Sequence, residues 1–347
     1  EIIRELGEGG FGVVYFAKQH EPVEREVAIK VLHSKRCTDT FIQGFEAERQ
    51  TLANMSHPGI AHFYDAGLTQ HNQPFFVMEF VSGQPITDYC DEHRLTIVQR
   101  LSLFADVCKA VQHAHNKGVI HRDLTPNNIL VSEGEDGAPR AQIIDFGIAR
   151  KTNEETADVM GTLLYMSPEQ ATKDASVDTR SDIYTLGVVL YELLVGKPPL
   201  DAEMFKGAAL QAQLNVVKEQ DPPTPSTKLS GIGDSDETAA IAEQRQENLV
   251  SLLKMLRREL DWIPRKALQK DPERRYATAS EFGEDISRYL NDEAVVAVPD
   301  STGYRFKKSL KRHKGAFSGV AVVVLILVVS VFYVSLQWRE TEEQRVI

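Results

Sequence analysis

Cysteine is scarce in this chain: Cys37, Cys90 and Cys108 are the only three among 347 residues. They stand too far apart for a zinc knuckle, and an odd number suits reduced thiols better than a disulfide framework. The globular part is therefore expected in the cytosol. A basic surplus is missing as well, because 39 lysines and arginines face 50 aspartates and glutamates, a formal charge of -11. No basic face compensates within the first 300 residues. A nucleic-acid partner is not expected, since phosphate backbones demand clustered lysine and arginine. Signal peptide and initiator methionine are both absent; the chain opens on the strand-like Glu1-Ile2-Ile3-Arg4-Glu5-Leu6 and reads as an excised fragment. No repeat of constant period occurs. What is present, 42% hydrophobic and 26% charged residues, is a globular profile with room for one large or two small lobes.

Long apolar runs are rare, with one exception. Gly315 to Trp338 carries no charged residue, and about 20 apolar residues span a bilayer, so 315–338 is expected to be a transmembrane helix. A buried core helix is the alternative, although such helices seldom run this long without a polar face. Lys307, Lys308, Lys311, Arg312 and Lys314 precede the run in a basic juxtamembrane segment, 296–314, whereas Arg339 and Arg345 follow it among acids. The positive side faces the cytoplasm. Tyr333 and Trp338 would sit at the far interface, and 339–347 would begin an extracytoplasmic part. The expectation is a single-pass protein of the cell membrane, with Gly315, Ser318 and Gly319 as a cue for homodimerisation through the span.

Chemistry concentrates in His121-Arg122-Asp123-Leu124-Thr125-Pro126-Asn127-Asn128 and Asp145-Phe146-Gly147. A hydroxyl that attacks a terminal phosphate needs a proton acceptor, and Mg²⁺ needs hard oxygen ligands. Asp123 suits the first task; Asn128 and Asp145 suit the second. Apolar Ile129-Leu130-Val131 follows Asn128 and Ala141-Gln142-Ile143-Ile144 precedes Asp145, which predicts a hairpin that places the two together. These segments resemble the catalytic and metal-binding loops of protein kinases.

Gly7-Glu8-Gly9-Gly10-Phe11-Gly12-Val13-Val14 has the spacing of a phosphate-binding loop, because glycine lets backbone amides approach phosphate. Its rival is the dinucleotide fingerprint that opens a helix. Here β-branched and aromatic Val13 to Ala17 follow and favour a strand. Val27-Ala28-Ile29-Lys30 matches the kinase strand whose lysine reaches the α- and β-phosphates. Its partner is expected to be Glu48 rather than Glu46, since Glu48 shares a helical stripe with Phe45, Leu52 and Met55. The resemblance further implies a hinge at Phe75 to Gly83, with Met78 as gatekeeper and the Glu79–Val81 backbone meeting adenine. Leu6, Val14, Ala28 and Leu130 would supply apolar contacts, and Gly7, Gly9 and Gly12 would surround the phosphates.

Thr96 and Gln99 form a capping box for a helix whose one face carries Leu101, Phe104, Ala105, Cys108 and Val111, ending before Gly118. His113 and His115 near its end read as structural. Asp182 is read as opening an apolar helix, too short to cross a membrane, and in kinases such an acid braces the catalytic loop. By the same resemblance Arg275 pairs with Glu169, and Arg122 links activity to a phosphate on the activation segment, which runs from Asp145 to Ser167-Pro168-Glu169 and closes on Ser-Pro-Glu-Gln. Thr156 is the expected phosphosite among Thr152, Thr156 and Thr162, and Thr162 is expected near Asp123. The polar stretch 218–248 reads as a long loop or mobile insertion, or equally as an ordered surface excursion.

The resemblance covers about residues 1–290 and is strongest to membrane-anchored, eukaryotic-like Ser/Thr kinases of bacteria. It implies an α+β bilobal protein-kinase fold over 1–295, with a small β-rich lobe (about 1–80) and a mainly helical lobe (about 81–295), followed by a single transmembrane helix. ATP with Mg²⁺, or Mn²⁺ in its place, would lie between the lobes and act on protein substrates. Thr125 departs from the pattern, since Ser/Thr kinases usually carry lysine there. A nucleotide-binding pseudokinase or scaffold is the alternative. Intact Lys30, Glu48, Asp123, Asn128 and Asp145 favour the enzyme.

Overall fold

The computed structural model describes residues 1–10, 12–33, 52, 54–134, 136–146, 163–172, 177–233, 235–299, 303, 304, 308 and 325–334. The chain divides into two units, Glu1–Ser287 and Arg288–Ile347. In the first, alternating β-branched and aromatic residues build a five-stranded antiparallel sheet. Its strands are β1 (Ile2–Gly9), β2 (Gly12–Gln19), β3 (Arg25–Leu32), β4 (Phe63–Leu68) and β5 (Pro74–Glu79), in the order β1-β2-β3-β5-β4. Leu32, Ala66 and Phe76 form the buried centre of this small lobe, with Phe63 and Met78 against it.

The larger lobe is mainly helical. It begins with the short β6 (Gln84–Pro85) and α1 (Ile86–Glu92), then α2 (Ile97–Asn116). Thr96 caps α2 in the reciprocal box the sequence predicts: its side chain accepts from the Gln99 amide and the Gln99 side chain accepts from the Thr96 amide. The predicted face, Leu101, Phe104, Ala105, Cys108 and Val111, is buried. Cys90 and Cys108 are free and buried, and burial pushes the Cys90 thiol up to about 11. The hairpin of β7 (Ile129–Glu133) and β8 (Pro139–Ile143) follows.

The central helix, α3 (Thr179–Val195), is almost wholly buried and packs against α2 and against α8 (Trp262–Ala267). It opens one turn earlier than the sequence suggests. Asp178 is its cap, accepting from the Arg180 amide at 2.8 Å, and Asp182 lies in the first turn. At the far end two buried arginines meet the last carbonyls: Arg100 bonds Leu193 O, and Arg245 bonds Leu193 O and Leu194 O.

The stretch 218–248 is an ordered excursion instead of a long loop. After α4 (Leu210–Glu219) it carries α5 (Pro225–Gly231) and α6 (Ser235–Glu243), and it leads to α7 (Leu249–Met255). Its polar composition conceals bonding to the rest of the lobe: the buried Ser226 donates through its amide and Oγ to Asp261 at 2.8 and 2.6 Å. The last helix of the lobe is α9 (Ala279–Leu290).

In the second unit, residues 325–334 are helical and their apolar side chains are exposed. Among the described residues no helix is long and apolar enough to cross a membrane. The rest of the expected span, 315–324 and 335–338, lies outside them.

Glu169 and Arg275 form the buried pair expected from the sequence, with Nη1 and Nη2 donating to the two carboxylate oxygens at 2.7 and 2.8 Å. Burial raises the Glu169 carboxyl, but the Arg275 bonds and charge, helped by Ser181, more than reverse this and hold it below 4.5. Breaking a buried pair from one side is costly, so Arg275→Ala should lose about 3–5 kcal/mol in urea denaturation at neutral pH. Because the folded carboxyl titrates below its unfolded value, the pair's contribution is whole above pH 4.5 and fades as pH falls through the folded value. The stability gap between variant and wild type should narrow in that acid range.

Candidate active site

α2 delivers the chain to a turn at His121 to Asp123. Arg122 there takes φ 67°, a left-handed conformation that a side chain makes costly. Hydrogen bonds hold it from two sides. Asp182, fully buried, accepts from the His121 amide through Oδ2 and from the Arg122 amide through Oδ1, each at 2.8 Å. From the end of the activation segment, Gln170 Nε2 donates to the Arg122 carbonyl at 2.8 Å. His115 Nε2 also reaches Asp182 Oδ2 at 2.8 Å.

The His121 ring ties this turn to the hairpin. Its Nε2 lies 3.0 Å from the Ile144 carbonyl, which can only accept, so the pattern puts the proton on Nε2. Nδ1 then accepts from the Asp123 amide at 3.3 Å. Phe146 packs on the same ring at 4.6 Å between centroids. In the hairpin Ile129 pairs with Ile143, which brings the flanking residues Asn128 and Asp145 together. Asn128 O accepts from the Ile144 amide at 2.9 Å, and Asn128 Nδ2 donates to Asp123 O at 2.7 Å. Lys30 Nζ pairs with Asp145 Oδ2 across the lobes.

These groups line a cleft of about 1160 Å³. Asp123, Thr125, Asn128, Asp145 and Lys30 are on its wall, as are Gly7, Gly9 and Gly12 at the tip of the β1–β2 hairpin. Leu6, Val14, Ala28, Leu130, Met78, Glu79 and Val81 also line it. Arg122 is not on the wall; its place is in the turn behind Asp123. The Glu79 amide is occupied by the His62 carbonyl at 2.8 Å, so only part of the hinge backbone is available to a ligand. Glu48, Gly147, Thr152, Thr156 and Thr162 lie outside the described residues.

The donors suit a hard cation. Asn128 spends its amide nitrogen on Asp123 O, which leaves Oδ1 as the acceptor beside the Asp145 carboxylate. Among the described residues no cluster of three histidines, cysteines or acids could hold a metal alone. A two-ligand site matches Mg²⁺ or Mn²⁺, which a protein commonly holds through one or two side chains together with phosphate oxygens. Lys30 and Arg4 are the cations on the described cleft wall.

Sequence reasoning missed three side chains at this site. His115 reads as a helix-end histidine without an acidic partner, yet that partner stands 67 residues away. Gln170 is legible only as the end of Ser167-Pro168-Glu169-Gln170, with no sign in the sequence of its bond to Arg122. Tyr165 donates to Glu192 at 2.5 Å on the cleft wall, a contact that only the tertiary structure reveals. Burial, then the nearby Glu192 charge, raises the Tyr165 phenol well above its ordinary value.

A protein kinase domain family model matches residues 1–284. Serine/threonine-protein kinase PknB of Mycobacterium tuberculosis is 35% identical over 330 residues, 92% of this chain and 47% of that protein. Serine/threonine-protein kinase Pkn1 of Myxococcus xanthus is 32% identical over 303 residues, 86% of this chain and 39% of its own. The chain thus spans about half the length of the curated relatives it matches. A crystal structure of the Mycobacterium tuberculosis PknI kinase domain, doubly substituted, superposes with a TM-score of 0.60 at 24% identity, covering 83% of this chain and 94% of that one. That likeness concerns the fold.

The three hairpin glycines differ in what they tolerate. A Cβ on Gly12 would stand 2.1 Å from the Val31 carbonyl oxygen, whereas one on Gly7 or Gly9 meets nothing within 4 Å. Gly12→Ala should therefore lower the melting temperature, and Gly9→Ala should leave it nearly unchanged, by differential scanning fluorimetry.

Proposed function

Since the chain belongs to the protein kinase family, in the company of bacterial serine/threonine kinases, we propose that its cleft transfers the γ-phosphate of ATP to serine and threonine hydroxyls of proteins. The observation that carries this reading is the convergence of Asn128 and Asp145 beside Asp123 through one hydrogen-bonded ring.

Asp123 takes the proton of the attacking hydroxyl, and the Asn128 bond to its carbonyl keeps it in register with the metal-binding side chains. Asn128 and Asp145 would hold the Mg²⁺ or Mn²⁺ ion, which neutralises phosphate charge when bound. Lys30 reaches the cleft from β3 and orients the α- and β-phosphates, with Glu48 as its proposed partner. Gly7, Gly9 and Gly12 present backbone to the phosphates. Leu6, Val14, Ala28 and Leu130 take the purine, Met78 closes the back, and the hinge contact falls to Glu79 O and the Val81 amide. Arg122 would receive a phosphate on Thr156, and Thr162 would lie close to Asp123.

Within the whole protein, residues 1–295 serve as the cytoplasmic kinase domain, 296–314 as a basic juxtamembrane segment and 315–338 as a single membrane span. The extracytoplasmic part begins at 339–347, and the span offers a route to a homodimer. The uncharged run and its basic flank support this arrangement. Truncation before Gly315 should move the protein from the membrane fraction to the soluble one.

Thr125 favours a slow enzyme, because it offers no charge to the transferring phosphate. Labelling from γ-labelled ATP should vanish in Asp123→Asn, and Thr125→Lys should raise kcat by up to about 100-fold, the scale of one transition-state contact. Equal labelling by wild type and Asp123→Asn would exclude transfer by this cleft.

A further inference from the structure

Gln170 follows the Ser167-Pro168-Glu169 triplet and uses both ends of its amide. Nε2 donates to the Arg122 carbonyl at 2.8 Å, and Oε1 accepts from the Ser167 amide at 3.0 Å. The carbonyl it holds belongs to the peptide bond that joins Arg122 to Asp123. The direction of that carbonyl sets the plane from which the Asp123 side chain departs.

The turn does not keep this direction by its own preference. Arg122 sits at φ 67°, where a non-glycine residue is held only by its surroundings. Asp182 holds the amide side of Arg122 and Gln170 holds the carbonyl side. The two restraints have different origins. Asp182 belongs to the buried α3, a fixed part of the lobe, whereas Gln170 belongs to the end of the activation segment. Its neighbour Glu169 is anchored by Arg275 at 2.7 and 2.8 Å and by Ser181 Oγ at 2.6 Å. Gln170 therefore reaches the turn from a rigid base, as long as that end of the segment is seated.

We propose that Gln170 is a positioning residue: through the Arg122 carbonyl it fixes the orientation of Asp123, and it makes that orientation depend on the seating of the activation segment's last residues. This rests on Asp123 as the proton acceptor.

Two substitutions separate the bonds. Gln170→Glu keeps an acceptor for Ser167 but turns an oxygen toward the Arg122 carbonyl; Gln170→Ala loses both contacts. In the full chain, with ATP, Mg²⁺ and a threonine peptide, both variants should lose about tenfold in kcat, the rate equivalent of one hydrogen bond. KM for ATP and the melting temperature should stay near wild type, since ground-state binding and the fold do not use this bond. Hydrogen exchange of the segment 120–126 should quicken in Gln170→Glu. Wild-type exchange there overturns the inference, as does wild-type kcat in that variant. So does a loss confined to Gln170→Ala, which would assign the effect to Ser167, or a fall in kcat matched by loss of ATP affinity and thermal stability. If the wild-type chain transfers no phosphate, the enzymatic reading fails instead, and the exchange comparison alone decides the place of Gln170.

Discussion

The site depends on one buried carboxylate. Asp182 is shielded from water, and a buried acid is tolerable only when donors replace its hydration. It finds three: the amides of His121 and Arg122 and the ring of His115. Each comes from the segment that runs from the end of α2 into the turn at His121 to Asp123. The acid thus satisfies itself by forcing Arg122 into a left-handed turn, and Asp123 follows from that turn. Its position in the first turn of α3 is also favourable, because the amide end of a helix attracts negative charge. The other end of α3 has the complementary arrangement, with Arg100 and Arg245 against its last carbonyls. Burial and then the Arg100 charge lower the Arg245 guanidinium to about 9, still a cation at neutral pH.

From this rod the remaining geometry is passed on by hydrogen bonds between backbone and side chain. His121 connects the turn to the residue before Asp145, and Asn128 connects it to the base of the hairpin. The small lobe adds Lys30, whose contact with Asp145 crosses the cleft. Sheet, hairpin and central helix have separate hydrophobic reasons to form; the polar ring is what makes them one site.

Features governed by neighbours in the chain were legible in the sequence. The capping box at Thr96 and Gln99, the buried stripe of α2 and the β7–β8 hairpin depend on residues within a turn or a strand of one another. Asp182 was legible as a brace, but its place was not, because Asp178 makes an equally good cap and no local signal ranks the two. At 218–248 the sequence left a loop and an ordered excursion equally open, because its polar groups are satisfied by distant partners, such as Asp261 for Ser226. Arg100 is plainer still: its bonds reach Leu193 and Gln244, 93 and 144 residues away. Side chains whose role is to join remote segments carry no periodicity, and His115 and Gln170 belong to that class.

The most direct measurement compares wild type with Asp182→Asn for phosphate transfer from γ-labelled ATP to a protein substrate, with nucleotide binding followed in parallel. The amide keeps the size of the acid but turns a donor toward one of the groups that Asp182 accepts from. Wild type should label its substrate, and the variant should bind nucleotide yet transfer at least about 100-fold more slowly, as expected when a catalytic group loses its orientation. Equal transfer by the two would contradict the dependence of the site on this carboxylate.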